Sequence, residues 1–176
     1  MKHIKPFINP KRKKLYNNYF KNIIIKFGVK LGFTHLDYSS IHGGGELTCG
    51  ERVSTVNTIF NTNGGNITIG DDVIFGHNCL LLTGTHRFIN GKRASLTGVS
   101  FGSYPESPTS GRDIYIDDGC FIGSGAVLIG PLHIGTGSII CASSVVTKSF
   151  PPYSVLAGVP AKKIGTTLEL GKGFSE

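Results

Sequence analysis

The chain lacks tryptophan, has a single methionine among its 176 residues, and carries charge on only 16% of them. That poverty argues against a helical bundle, whereas 25 glycines suit a backbone that turns tightly and often. Long hydrophobic runs are missing too: the longest in the N-terminal arm, Ile23-Ile24-Ile25, is far too short to span a bilayer. The four cysteines, Cys49, Cys79, Cys120 and Cys141, form no CxxC pair and no Cys/His cluster at metal spacing. With nothing resembling a cleaved signal peptide, reduced thiols in a cytoplasmic protein are expected. Acidic residues are absent from residues 1–30, which hold nine of the eighteen Lys and Arg. In the rest of the chain nine basic residues face eleven acidic ones, so the net charge of +7 belongs to an N-terminal arm and the body is slightly acidic. Nucleic-acid binding by the body is therefore not expected, and the length fits one domain with a sizeable core.

What is present is a period. Stepping by six from Ile116 gives Ile122, Leu128, Ile134, Ile140 and Val146. Four residues after the first five of these stand Cys120, Ala126, Leu132, Ser138 and Ser144, most of them small. The same step backwards from Leu81 meets Phe75 and Ile69, with Val73 and Cys79 between them, and a shifted block reads Ile41, Leu47, Val53 and Ile59. Six fits neither the helical 3.6 nor simple alternation. It does fit a parallel β-solenoid, in which each hexad supplies one short strand and a corner, aliphatics point inward, and coils stack on one another. Glycines such as Gly70, Gly76, Gly123 and Gly135 are expected to permit the corners.

Three stretches carry a resemblance: IGDDVIFGHNCLLLTGTH (69–86), PTSGRDIYIDDGCFIGSGAVLIGPLHIGTGSIICASSVVTKSFPPYSVLAGVPAKKI (108–164), and less closely FNTN (60–63). They resemble the hexapeptide-repeat acyltransferases, a family that includes maltose, galactoside and xenobiotic O-acetyltransferases and acetyltransferases of polysaccharide gene clusters. The resemblance implies an all-β, left-handed parallel β-helix over 41–164, assembled as a homotrimer with active sites between neighbouring subunits. The basic arm (1–40) precedes it and a tail (165–176) follows. It also implies that the polar excursion from His86 to about Arg112 is the family's acceptor loop.

Transfer of an acyl group from a thioester to a hydroxyl needs a base for the hydroxyl proton and donors for the tetrahedral oxyanion. Imidazole titrates near neutrality, and His86 aligns with the family's catalytic histidine, so the resemblance implies His86 as general base. His77 is a corner residue, read as solvated, although it could line a cleft; His133, His35, His42 and His3 are read as structural. Cys79 and Cys120 fall on small inward positions, where a thiol fills space, which favours direct transfer over an acyl-enzyme. For acetyl-CoA, the resemblance implies an extended pantetheine along the C-terminal coils, at Ser124, Ala142, Thr147 and Lys148. Lys148 and Lys162 are candidates for the nucleotide phosphates, and Lys163 is equally well a solvated surface residue. Where the family often has a basic residue after the A-K-x-I ending, this chain has Gly165. Asn61 matches an asparagine that binds the acceptor sugar, with a corner asparagine as the alternative. Arg87, Arg93, Tyr104 and Glu106 are unranked loop candidates. No metal is expected, since His77 and His86 alone make no zinc set.

Between Lys11 and Leu31 the residues Leu15, Tyr19, Phe20, Ile23, Ile24, Phe27 and Leu31 recur at three- and four-residue steps among lysines, the pattern of a basic amphipathic helix. Such a helix either packs on its own trimer or lies on an anionic membrane surface. The expected activity is acetyl-CoA-dependent O-acetylation of a carbohydrate hydroxyl in surface-polysaccharide assembly. Sugar N-acetylation, antibiotic O-acetylation and a silent β-helical scaffold are the alternatives.

Overall fold

The computed structural model describes residues 39–94 and 110–170. The expected arm helix lies outside the described residues, as do Tyr104 and Glu106. The first coil holds β1 (Ser40–His42), β2 (Leu47–Cys49) and β3 (Ser54–Val56). The second holds β4 (Ile59–Asn61), β5 (Ile67–Ile69) and β6 (Ile74–His77). In the third, β7 (Leu80–Leu82) is followed by an excursion bearing a hairpin, β8 (Phe88–Ile89) and β9 (Lys92–Arg93), before β10 (Ile114–Ile116) and β11 (Phe121–Ile122). The fourth holds β12 (Val127–Ile129), β13 (Leu132–Ile134) and β14 (Ile139–Ile140). The last has β15 (Val145–Val146), a bridge of Phe150 to Ile134, and β16 (Ser154–Gly158), on which β17 (Ala161–Thr166) folds back antiparallel.

Successive coils pair in parallel and build three faces. Face I is β1-β4-β7-β12-β15, face II is β2-β5-β10-β13, and face III is β3-β6-β11-β14-β16 with β17 at its edge. The six-residue period is thus the repeat of a three-sided parallel β-helix. Every member of the row from Ile116 to Val146 is buried, as are Ile69, Phe75 and Leu81 and the small positions Val73, Cys79, Cys120, Ala126, Leu132, Ser138 and Ser144. Stacking aliphatic on aliphatic along such rows stabilises the chain by about 1.5–3 kcal/mol per buried Ile or Leu, set against the ordering entropy.

The shifted early block is only partly as expected. Leu47 and Val53 pack against the core, but Ile41 is 46% exposed and Ile59 is 38% exposed. Phe60, at 2% exposure, takes the inward place, in register with Ile41 and Leu81. For Ile59 the reason is corner length, since Ile41 keeps the inward register. In the last regular coils Ile114 lies beside Leu132 and Val127 beside Val145, three hexads on, whereas Ser40 lies beside Ile59 and Ile59 beside Leu80. Extra corner residues at 43–45 and 63–66 therefore carry a strict six-residue step out of phase.

Two devices shape the corners. At the III/I corner the left-handed backbone recurs at Asn57, Asn78, Gly125 and Ser143, and at the II/III corner at Arg52, Asp72, Gly119, Gly137 and Tyr153. The expected corner glycines serve another purpose: a side chain on Gly76 or Gly123 would drive into the backbone of Ser124 or Ala142 in the next coil, so they allow close stacking. Corner carboxylates and amides then cap the coil beneath. Asp113 Oδ1 accepts from Asn66 N–H (2.7 Å) and Asn66 Oδ1 from Glu46 N–H (2.9 Å). In parallel, Asp118 Oδ1 accepts from Asp71 N–H (2.8 Å) and Asp71 Oδ1 from Glu51 N–H (2.7 Å). These ladders satisfy backbone donors that the short strands leave unpaired.

Candidate functional site

The regular winding breaks immediately after β7, and the break is built on a buried threonine. Thr83 is fully buried; its Oγ1 donates to Asn61 O (2.7 Å) and accepts from Gly64 N–H (3.0 Å). Its carbonyl accepts from Arg112 Nε–H (2.7 Å), and Arg112 N–H donates to Gly64 O (3.1 Å). Thr83 is where the chain leaves the β-helix and Arg112 is where it returns, so the two stems are tied across the Gly64-Gly65 corner of the coil beneath. Both glycines are needed for that approach. A Cβ on Gly64 would overlap Thr83 O, and one on Gly65 would sit 2.6 Å from Asp113 Oδ1.

His86 stands on the exposed surface three residues beyond Thr83. On its far side the hairpin begins at once, with Ala94 N–H donating to Arg87 O (2.8 Å). Gly84 lies on the amide of Asn61; a Cβ there would come within 2.7 Å of Asn61 Oδ1, which itself accepts from Asn63 N–H (3.0 Å). The structure therefore places Asn61 at the foot of the His86 segment, at the corner between faces I and II. Arg112, Thr83 and the Gly64-Gly65 corner were not singled out by sequence reasoning as part of the site. Their signals were present, in a Gly-Gly pair at an overlong corner and an arginine where the period resumes.

The other candidates divide between two edges. Ser124 and Ala142 sit on the III/I corner, in one stack with His77, whose N–H donates to Ser124 Oγ (3.1 Å). Lys162 in β17 pairs with Ala157, and Lys163 with Leu156, close to the same edge. Thr147 and Lys148 follow β15 and lie on the I/II corner instead, the His86 side, where the Lys148 ammonium rests 5.5 Å from the centroid of the Phe150 ring. A single copy thus keeps His86, Asn61, Thr147 and Lys148 on one edge of face I and Ser124, Ala142 and Lys162 on the other. A three-residue strand, about 10 Å of chain, separates them.

The remaining chemistry-bearing groups are held structurally. Cys79 Sγ donates to Gly123 O (3.3 Å) and Cys120 Sγ to Gly135 O (3.4 Å); burial pushes both thiols up from the ordinary cysteine value, which disfavours a nucleophilic thiolate. His133 pairs with Asp117 (2.8 Å) on the outward side of face II, and His42 bonds to Ser40 Oγ (3.1 Å). Among the described residues no three His, Cys, Asp or Glu side chains converge as metal ligands.

The bacterial transferase hexapeptide family (six repeats) matches residues 113–148, the span of the regular coils. The regular coils are thus similar to that family's repeat. It is 39% identical over 98 residues to a Schizosaccharomyces pombe protein named as an acetyltransferase, covering 56% of this chain and 42% of that one. It is 35% identical over 98 residues to the serine acetyltransferase of Salmonella typhimurium, covering 55% and 35%. The chain thus spans less than half the length of these curated relatives. Among solved structures it is similar to a maltose O-acetyltransferase from Clostridium difficile 630, with 26% identity and a TM-score of 0.53, covering 89% of this chain and 82% of that one.

Proposed function

We propose that the chain is an acetyl-CoA-dependent O-acetyltransferase that modifies a sugar hydroxyl in surface-polysaccharide assembly, working as a homotrimer of left-handed β-helices. The observation that carries this reading is the division of the site between the two edges of face I. A neighbouring copy that brings its III/I edge beside the I/II edge of the first would unite His86, Asn61 and Lys148 with Ser124, Ala142 and Lys162. The outward rows support such contact. Face I presents Ile59, Leu80, Val127 and Val145, and face III presents Ile74, Phe121, Ile139 and Val155, with Ile74 and Phe121 exposed. Face II presents Thr48, Thr68, Tyr115 and His133, a row suited to water. Apolar rows flanking one corner suit a head-to-tail contact that closes into a ring.

In this arrangement His86 takes the proton of the acceptor hydroxyl as its oxygen attacks the thioester carbonyl carbon. The tetrahedral adduct then collapses, the C–S bond breaks, and the proton passes from the imidazolium to the departing CoA sulfur. Ser124 and Ala142 lie where a corner offers backbone groups to an extended pantetheine, and Lys162 and Lys148 supply positive charge for the nucleotide phosphates. Asn61, at the opposite end of the groove from those lysines, faces the acceptor. The sugar class rests on the likeness to the maltose O-acetyltransferase.

The test is acceptor profiling by mass spectrometry, with acetyl-CoA offered alongside neutral glycans, nucleotide-linked amino sugars, serine and a chloramphenicol-type alcohol. The expected product is an O-acetylated glycan. Transfer confined to serine or to an amine would overturn the acceptor assignment, and a sedimentation mass other than that of three chains would overturn the trimer.

A further inference from the structure

We infer that Arg112 is the positioning residue for His86, acting through its Nε–H bond to the Thr83 carbonyl. The inference rests on His86 being the base of the proposed reaction. The segment Gly84-Thr85-His86 is the spacer between two fixed points, the Thr83 node and the hairpin that starts at Arg87. The Thr83 end is held from below by Asn61 O and Gly64 N–H, both in the coil beneath. From the side it is held by Arg112, whose Cδ packs over Gly64 and whose Nε–H closes the ring between the departing and returning stems.

The Nε–H bond reaches a partly buried carbonyl, and it stands where the β-helix gives way to residues 84–111. Without it the two stems would still meet through Gly64, but the peptide plane of Thr83, which aims the chain toward His86, would lose its lateral restraint. Catalysis by a positioned base is sensitive to displacements of this kind. The role requires an N–H at the Nε position and not a positive charge as such. Glutamine places its amide nitrogen at that point along the side chain, lysine places a methylene there, and methionine has no donor.

The experiment compares Arg112→Gln, Arg112→Met and Arg112→Lys with wild type and with His86→Ala, reading kcat, KM for acetyl-CoA, and CoA affinity by calorimetry. Arg112→Met should lower kcat about tenfold to a hundredfold, while KM for acetyl-CoA and CoA affinity stay within about twofold. Arg112→Gln should recover most of kcat, and Arg112→Met added to His86→Ala should cost little more. Arg112→Gln as slow as Arg112→Met, or a full Arg112→Met loss in the His86→Ala background, overturns the inference. If Arg112→Met no longer binds CoA, Gln against Lys decides: Gln faster supports the restraint, Lys faster overturns it. Activity retained in His86→Ala removes the underlying base assignment, whereas a dead His86→Ala beside a fully active Arg112→Met overturns the positioning role alone.

Discussion

Neighbouring residues Phe60 and Ile59 give the sharpest test of the winding, because a six-residue step from Ile41 turns Ile59 inward and the structure turns Phe60 inward. Phe60 is 2% exposed, lies in register between Ile41 and Leu81, and meets Phe75 edge-on at 6.1 Å between ring centroids. Phe60→Ala removes a whole ring from the prism interior. The coils above and below are tied by parallel ladders and cannot close the gap, so the cost is about 4 kcal/mol. Ile59 lies on the outward row at 38% exposure, and truncating it forfeits part of three methylene equivalents with no sealed cavity, about 1 kcal/mol. For a chain of this size these become melting shifts of roughly 8–16 °C and 2–4 °C. Urea and thermal unfolding, followed by circular dichroism over a hundredfold range of protein concentration, separate the core from assembly: a shift from wild type caused by a lost intersubunit contact varies with protein concentration, whereas one caused by a lost core ring is the same at every concentration. An Ile59→Ala cost equal to or above that of Phe60→Ala, at every concentration, would refute the register.

Three further outcomes follow from the same geometry. Gly64→Ala forces a methyl into Thr83 O, and it should cut acetyl transfer by about tenfold or more while CoA affinity is unchanged, because only the excursion stem must move; normal turnover would contradict the stem arrangement. Burial raises the Cys79 and Cys120 thiol pKa values, so their thiolate fraction stays low until the pH is well above the ordinary cysteine range. Iodoacetamide at pH 8 should label exposed Cys49 first and those two only on unfolding, and labelling of Cys79 at the Cys49 rate would show the packing to be wrong. Asp118→Ala uncaps Asp71 N–H and should lower stability by about 1 kcal/mol, with Asp118→Asn losing less because its amide oxygen can still accept; identical losses would mean that the cap contributes nothing.

The fold was legible because a period of six has few physical solutions, and the block from Ile116 to Val146 keeps it without interruption. Phase was lost where corners carry extra residues, since residues 43–45 and 63–66 lengthen coils without changing the look of the strands between them. The capping ladders were also readable in principle. Asn66 and Asp113 each precede an inward isoleucine at one corner, as Asp71 and Asp118 stand together at the next, but their spacing is interrupted by the excursion. At the candidate site, the break in the winding beside His86 was visible as the point where regularity stops. What holds the stem was not, because Thr83, Gly64 and Arg112 are separated along the chain and meet only when coils two and three are stacked. Division of the candidate residues between two edges of face I is likewise invisible in a linear string, where Ser124, Ala142 and Lys148 look like one run.

The central assignment is tested most directly by acetyl transfer from acetyl-CoA to the best glycan acceptor, measured for wild type and His86→Ala alongside CoA affinity and sedimentation. His86 as base predicts a loss of roughly 10²- to 10⁴-fold in kcat with CoA binding and assembly intact. Turnover within a few-fold of wild type, from a variant that still assembles and binds CoA, would contradict it.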